Sequence, residues 1–197
     1  MWNLIWRKRI QKMNNRNNNY VIIDIDDVLA ATVPEWLKRY NRKYKDSLKM
    51  SYVRDWNISK YTVPECGDKI YDLLESKTFY NKVKPLPNAL EGVGKLRELG
   101  FPIVYVTGGK PEYSTYKFKW LQKHNFWNQN DHYVQTSSKH LIKGVLMIDD
   151  NYDNICNTSA FGLLMDAPWN SKFEFKNRVM GWHEIIQNID EYKENFL

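Results

Sequence analysis

Cysteine is nearly absent: only Cys66 and Cys156 occur in 197 residues, far apart and with no CxxC pair. That argues against a disulfide framework or a cysteine-ligated zinc site, and it fits a reducing, cytoplasmic setting. No apolar run approaches the roughly 20 residues of a membrane span, so no membrane partner is expected. The four histidines, His124, His132, His140 and His183, lack metal-ligand spacing and are assigned no role. No internal repeat is visible.

What is present is ordinary in bulk and unusual in detail. Hydrophobic residues make up 43% and charged residues 26%, the balance of a soluble globular chain. The length suits one well-buried α/β domain with a small insertion. Aromatics reach 15%, with 8 Trp and 13 Tyr, beside heavy use of Asn, Lys and Ile. Either an AT-rich coding bias or a base-stacking pocket accounts for them. The net charge of +6 favours anionic ligands such as nucleotides, although Lys and Arg are scattered and form no single patch. Residues 1–19 stand apart: an apolar start, Arg7-Lys8-Arg9, then an Asn-rich stretch. The apolar part is too short for a secretory signal, and the reading is a basic arm or surface helix.

The pattern from residue 20 onward alternates strands and helices. Short apolar runs predict strands over 20–26, 101–106, 132–135, 145–148 and 161–165. Helices are expected from Pro34, from Asn88 as a cap to Leu99 with Gly100 as the stop, over 111–124, and over 182–192. Residues 31–82, with a helix near 65–76, read as a small helical cap inserted after the first strand. Residues 20–30 and 83–197 then form a Rossmann-like, doubly wound parallel sheet.

The chemistry gathers where strands end. The run Val21-Ile22-Ile23-Asp24-Ile25-Asp26-Asp27-Val28-Leu29-Ala30 puts Asp24 and Asp26 on one side of a strand terminus. Crowded acids repel unless a cation lies between them, which points to a divalent metal. Other strand ends offer Thr107 with Gly108-Gly109, and Asp149 with Asp150, with Lys139 shortly before the fourth strand. Strand ends of one sense share one sheet edge, so these groups should converge there. Carboxylates, a hydroxyl with a Gly-Gly backbone and an ammonium suit phosphoryl transfer.

Asp24-Ile25-Asp26-Asp27-Val28, Thr107, Lys139 and Asp149-Asp150, in that order, resemble the motifs of haloacid dehalogenase-like phosphatases. Pro85-Leu86-Pro87-Asn88-Ala89-Leu90, Lys119-Trp120, Thr136-Ser137-Ser138-Lys139 and Asp166-Ala167-Pro168-Trp169-Asn170 are similar to the 5'(3')-deoxyribonucleotidase branch. The resemblance implies a Mg2+-dependent hydrolase of nucleoside monophosphates. Asp24 would be the nucleophile and Asp26 the general acid and base. Mg2+ would be held by Asp24, the Asp26 carbonyl and Asp149 or Asp150. Thr107 and the Gly108 amide would hold phosphate, with Lys139 offsetting charge. Two departures stand out: the branch often has Gly where this chain has Asp27, and Ser where it has Gly108.

Bland readings compete at single positions. A lone pair of strand-end acids is usually solvated, Lys143 competes with Lys139, and Asp27 reads as a loop or cap contact. Trp56, Phe79 and Tyr80 are candidates to stack on a base, Trp56 and Phe79 foremost, though aromatics of a small insertion more often form its own core, and that reading stands ahead. The rival functions are phosphatases of other small esters or of nucleic-acid 3'-phosphate ends, and a nucleotide-binding module without turnover. Nucleic acid is not the expected partner. Oligomeric state is open, a homodimer included.

Overall fold

In the computed structural model, described over residues 19–76 and 78–196, the run Val21–Asp24 forms strand β1, buried along its whole length. The arm expected over 1–19 lies, but for Asn19, outside the described residues. Helix α1 (Thr32–Tyr44) follows, then 3-10 turns Met50–Tyr52, Ile58–Tyr61 and Gly67–Leu73. Next come α2 (Ala89–Glu98), β2 (Ile103–Thr107), α3 (Pro111–Lys123) and β3 (His132–Gln135). The turn Lys139–Leu141 leads to β4 (Leu146–Asp149), α4 (Tyr152–Asn157) and β5 (Phe161–Met165). The turn Pro168–Asn170, β6 (Arg178–Val179), α5 (Trp182–Gln187) and α6 (Ile189–Phe196) complete the chain.

The strands form the expected doubly wound parallel sheet, ordered β3-β2-β1-β4-β5-β6. The chain winds outward from β1 to β3, then returns to β4 on the other side of β1. That reversal opens a crevice at the carboxyl ends of β1 and β4. Register sets what lines it. Ile23 pairs with Ile148 and Asp24 with Val106, so Asp24, Asp149 and Thr107 leave the sheet together. Both faces are covered, as a parallel sheet requires. Ile22, Val104, Val106, Met147 and Leu164 pack with Ile155 of α4 on one face. Val21, Ile23, Ile103, Tyr105 and Ile148 join the larger core on the other.

Several elements differ from expectation. Strand β1 stops at Asp24 because the chain turns back: Leu29 and Ala30 both donate to the Ile25 carbonyl, at 3.0 and 2.9 Å. Asn88 does not cap α2 through its side chain; it takes a left-handed conformation, φ 61°. Helix α4, capped by Asn151, and the two-residue strand β6 were not expected. The closing helix is broken at Asn188 into α5 and α6. The helix expected near 65–76 is the 3-10 turn Gly67–Leu73, and α1 is the only α-helix among the described residues of 31–82. This segment is held by the polar tips of aromatics. Trp36 Nε1 donates to the Ile70 carbonyl at 2.7 Å, and the Tyr40 hydroxyl accepts from Val63 N–H at 2.8 Å. Among the described residues, no helix is long and apolar enough to cross a membrane.

Candidate active site

A cleft of about 440 Å³ lies between the carboxyl edge of the sheet and the 31–82 segment. Asp24, Asp26, Asp150, Lys139 and Gly108 line it from the sheet side. Trp36, Trp56, Tyr71 and Tyr80 line it from the other. The turn after β1 shapes its floor. Asp27 adopts φ 53° and accepts from Val33 N–H at 3.0 Å, so it caps α1, which has no side-chain cap at Ala31. Thr32, in the first turn of α1, donates to Asp26 Oδ1 at 2.8 Å.

Two buried lysines divide the acids between them. Lys139 Nζ lies 2.8 Å from Asp24 Oδ1 and 2.7 Å from Asp149 Oδ2. Lys117 Nζ lies 2.5 Å from Asp26 Oδ2, and donates to Thr107 Oγ1 at 2.7 Å and the Gly108 carbonyl at 2.9 Å. Tyr80 donates to Asp26 Oδ1 at 2.6 Å. The proton affinities follow. Burial, only partly offset by Lys139, pushes the Asp24 carboxyl from 3.8 up to about 7. Burial alone would also raise Asp26, but Lys117, Tyr80 and Thr32 bring it below the usual carboxylate value. Burial, with Asp149 and Asp24 as neighbours, holds Asp150 well above it. Burial lowers the Lys139 ammonium, yet Asp24 and Asp149 more than offset this and raise it.

Asp24, Asp149 and Asp150 each offer an oxygen within 4.8 Å of the others. Asp149 is saturated: Asn151 N–H and Asn154 hold Oδ1, and Lys139 and Asn154 hold Oδ2. Asp150 is fully buried, and its Oδ1 has no hydrogen-bond partner. An orphaned carboxylate oxygen beside a second acid, in an all-oxygen donor set, fits a hard divalent cation. The Asp26 side chain turns to Lys117 and is not one of this group; the atom of Asp26 expected to meet the metal is its main-chain carbonyl.

The structure brings Asp24, Asp26, Thr107, Gly108, Lys139, Asp149 and Asp150 to one edge, with Thr107 fully buried just beneath the cleft. Lys143, the competitor of Lys139, is exposed. Trp56 lines the cleft and is 42% exposed. Phe79, a candidate to stack on a base, does not reach the cleft. It is fully buried, with Arg39 over its ring at 5.0 Å, and its neighbour Tyr80 faces the acids instead. Sequence reasoning missed Lys117. The signal was there: Lys117 shares the buried face of α3 with Trp120 and Leu121, where an unpaired lysine has no place.

Comparison with known proteins agrees with this geometry. Residues 18–194 match the family described as 5' nucleotidase, deoxy (pyrimidine), cytosolic type C protein. A 5'(3')-deoxyribonucleotidase of Clostridium acetobutylicum is 32% identical over 172 residues, covering 87% of this chain and 95% of that protein. One from Bacillus subtilis is 28% identical, covering 86% and 97%. A haloacid dehalogenase family hydrolase from Deinococcus radiodurans, solved with phosphate and sodium, shares the fold at TM-score 0.60 and 12% identity, covering 90% and 97%. A hydrolase from Pseudomonas syringae gives 0.59 at 15% identity, covering 88% and 99%. The sequence match runs from ahead of β1 into α6 and leaves no strand of the sheet outside it. The chain thus belongs to this deoxynucleotidase family of phosphoric monoester hydrolases, and it has the fold of haloacid dehalogenase-like hydrolases.

Proposed function

We propose that this enzyme releases phosphate from deoxynucleoside monophosphates, with Mg2+ and an aspartyl-phosphate on Asp24. The observation that carries the reading is the meeting of Asp24, Asp26, Lys117, Lys139 and Asp150 around one cleft. The named activity of the Clostridium and Bacillus relatives supports the substrate class. The cleft's volume of about 440 Å³ also suits a small ligand better than a polymer.

The chain's own groups divide the work. Asp24 attacks phosphorus, and the nucleoside oxygen leaves with the electrons of its bond to phosphorus. Asp26 gives that oxygen a proton, then takes one from the water that hydrolyses the aspartyl-phosphate. Lys117 favours the ionised form of Asp26 before substrate binds. A phosphate dianion beside Lys117 draws on the same ammonium and lets Asp26 take up its proton. Lys139 offsets charge on Asp24 and on the transferring group. Thr107 fixes the Lys117 ammonium, and the Gly108 amide is a donor for a phosphate oxygen. Mg2+ would be held by Asp24, Asp150 and the Asp26 carbonyl, with Asp149 anchoring Lys139. When bound, the cation supplies charge neutralisation for the phosphoryl group. Residues 31–82 act as a cap that excludes water and bulky esters. Two free cysteines fit work in the cytoplasm.

The test is phosphate release from deoxynucleoside and ribonucleoside monophosphates, sugar phosphates and a 3'-phosphorylated oligonucleotide, with Mg2+ or with EDTA. Release confined to free deoxynucleotides and to Mg2+ supports the reading. Faster release from the oligonucleotide or from sugar phosphates overturns it.

A further inference from the structure

The turn Pro168–Asn170 supplies no reacting group, yet it grips Asp150 from two directions. Trp169 Nε1 donates to Asp150 Oδ2 at 2.8 Å. Asn170 Nδ2 donates to the main-chain carbonyls of Asp150 and Met165, each at 2.8 Å. Asn170 is itself held, its Oδ1 accepting from Arg178 at 2.6 Å and from Ala167 N–H at 3.2 Å. Trp169 and Asn170 are buried to 2% and 1% exposure, so water does not compete for these bonds. The result is asymmetric. Asp150 Oδ2 is occupied and Oδ1 is orphaned.

A carboxylate free to rotate can meet a cation with either oxygen or with both. Mg2+ demands near-octahedral geometry and tolerates a chelating carboxylate poorly. Indole nitrogen suits the task of blocking one oxygen. It only donates, so it cannot itself ligate the cation, and it carries no charge to neutralise the aspartate. We infer that Trp169 is a positioning residue. By engaging Oδ2, it presents Oδ1 of Asp150 as the single oxygen for the divalent cation, and so sets the affinity for that cation. This rests on the Mg2+-dependent reading of the cleft.

The experiment is calorimetric titration with Mg2+ of the wild type, of Trp169→Phe, and of protein carrying 3-benzothienylalanine at position 169. The last analogue keeps the indole outline and replaces N–H by sulfur, so packing survives where Phe leaves a gap. Both substitutions are expected to weaken Mg2+ binding by about 10- to 100-fold, the usual effect of losing a partner of a metal ligand. Turnover should return as Mg2+ is raised, with KM for the deoxynucleotide at saturating Mg2+ unchanged. Wild-type affinity in the benzothienyl protein overturns the inference, including when Trp169→Phe alone binds weakly, since packing would then be the cause. A wild type that neither binds Mg2+ nor needs it for turnover overturns the metal reading itself, and the role of Trp169 with it.

Discussion

Lys117 spends all three ammonium hydrogens on Asp26, Thr107 and the Gly108 carbonyl. A residue so placed ties Asp26, the proposed acid–base carboxylate, to Thr107 and Gly108, where phosphate is proposed to sit. Lys117→Met keeps the aliphatic stem and removes all three bonds. The expected loss in kcat/KM on a free deoxynucleotide is about 100- to 1,000-fold, the scale of one electrostatic donor aimed at a transition state. Steady-state kinetics would read it, and a loss below about tenfold would remove Lys117 from the mechanism. Asp24→Asn should be harsher, about 10,000-fold or more in turnover, with circular dichroism unchanged. Asp24, Asp26, Asp149, Asp150 and Lys139 were readable in the sequence because four of them adjoin strand ends and the fifth precedes one at fixed spacing. Lys117 was hidden because helical spacing, not a motif, carries it into the site. Phe79 and Tyr80 could not be told apart, since adjacent residues of an irregular segment face opposite ways for tertiary reasons alone.

Helices α2 and α5 meet at a contact that no local pattern announces. Trp182 is 1% exposed and donates through Nε1 to the Val28 carbonyl at 2.6 Å, which ties α5 to the turn following Asp24 and Asp26. Its ring lies flush against Gly92 of α2. A Cβ at Gly92 would stand 2.1 Å from Trp182 Cε3, and the ring has little freedom to retreat while its N–H is bonded. Gly92→Ala is therefore expected to destabilise the fold by about 1–3 kcal/mol, although Ala is the better helix former. Thermal melts check this, and an unchanged melting temperature would mean that α5 shifts without resistance. The same logic marks which elements the sequence disclosed. Strands β1, β2, β4 and β5 are apolar runs bounded by turns, and their burial is written in composition. Helix α3 opened at Pro111, as the proline required. The 3-10 turns of residues 31–82 were not visible, because Trp36 and Tyr40 fix them through bonds to Ile70 and Val63, far along the chain.

At the scale of the whole molecule, the proposed cation would couple to the fold through the acids buried at its site. Asp24 and Asp150 are deep in the protein, and Lys139 compensates only Asp24 and Asp149 directly. A ligand that binds only the folded state stabilises it. Mg2+ at about 100 times its dissociation constant should add about 2.7 kcal/mol, a rise of roughly 5–10 °C in melting temperature for a chain of this size. Asp150→Asn should abolish that rise. The pH dependence has a definite sign. The Asp24 carboxyl is pushed by burial from 3.8 up to about 7, so the folded chain holds its proton where the unfolded chain has lost it. Stability from this group is complete below its unfolded value and is lost as pH rises through the folded one. Metal-free protein should therefore melt lower at about pH 8 than at about pH 6. A cation that takes the proton's place leaves Asp24 ionised in both states and removes this dependence, so the melting-temperature rise caused by Mg2+ should grow over the same interval. Melting curves with Mg2+ and with EDTA across that range measure both slopes. An equal Mg2+ effect at every pH would mean that Asp24 gives up no proton when the cation binds, so that its carboxyl is either already ionised in the metal-free protein or not a ligand of the cation.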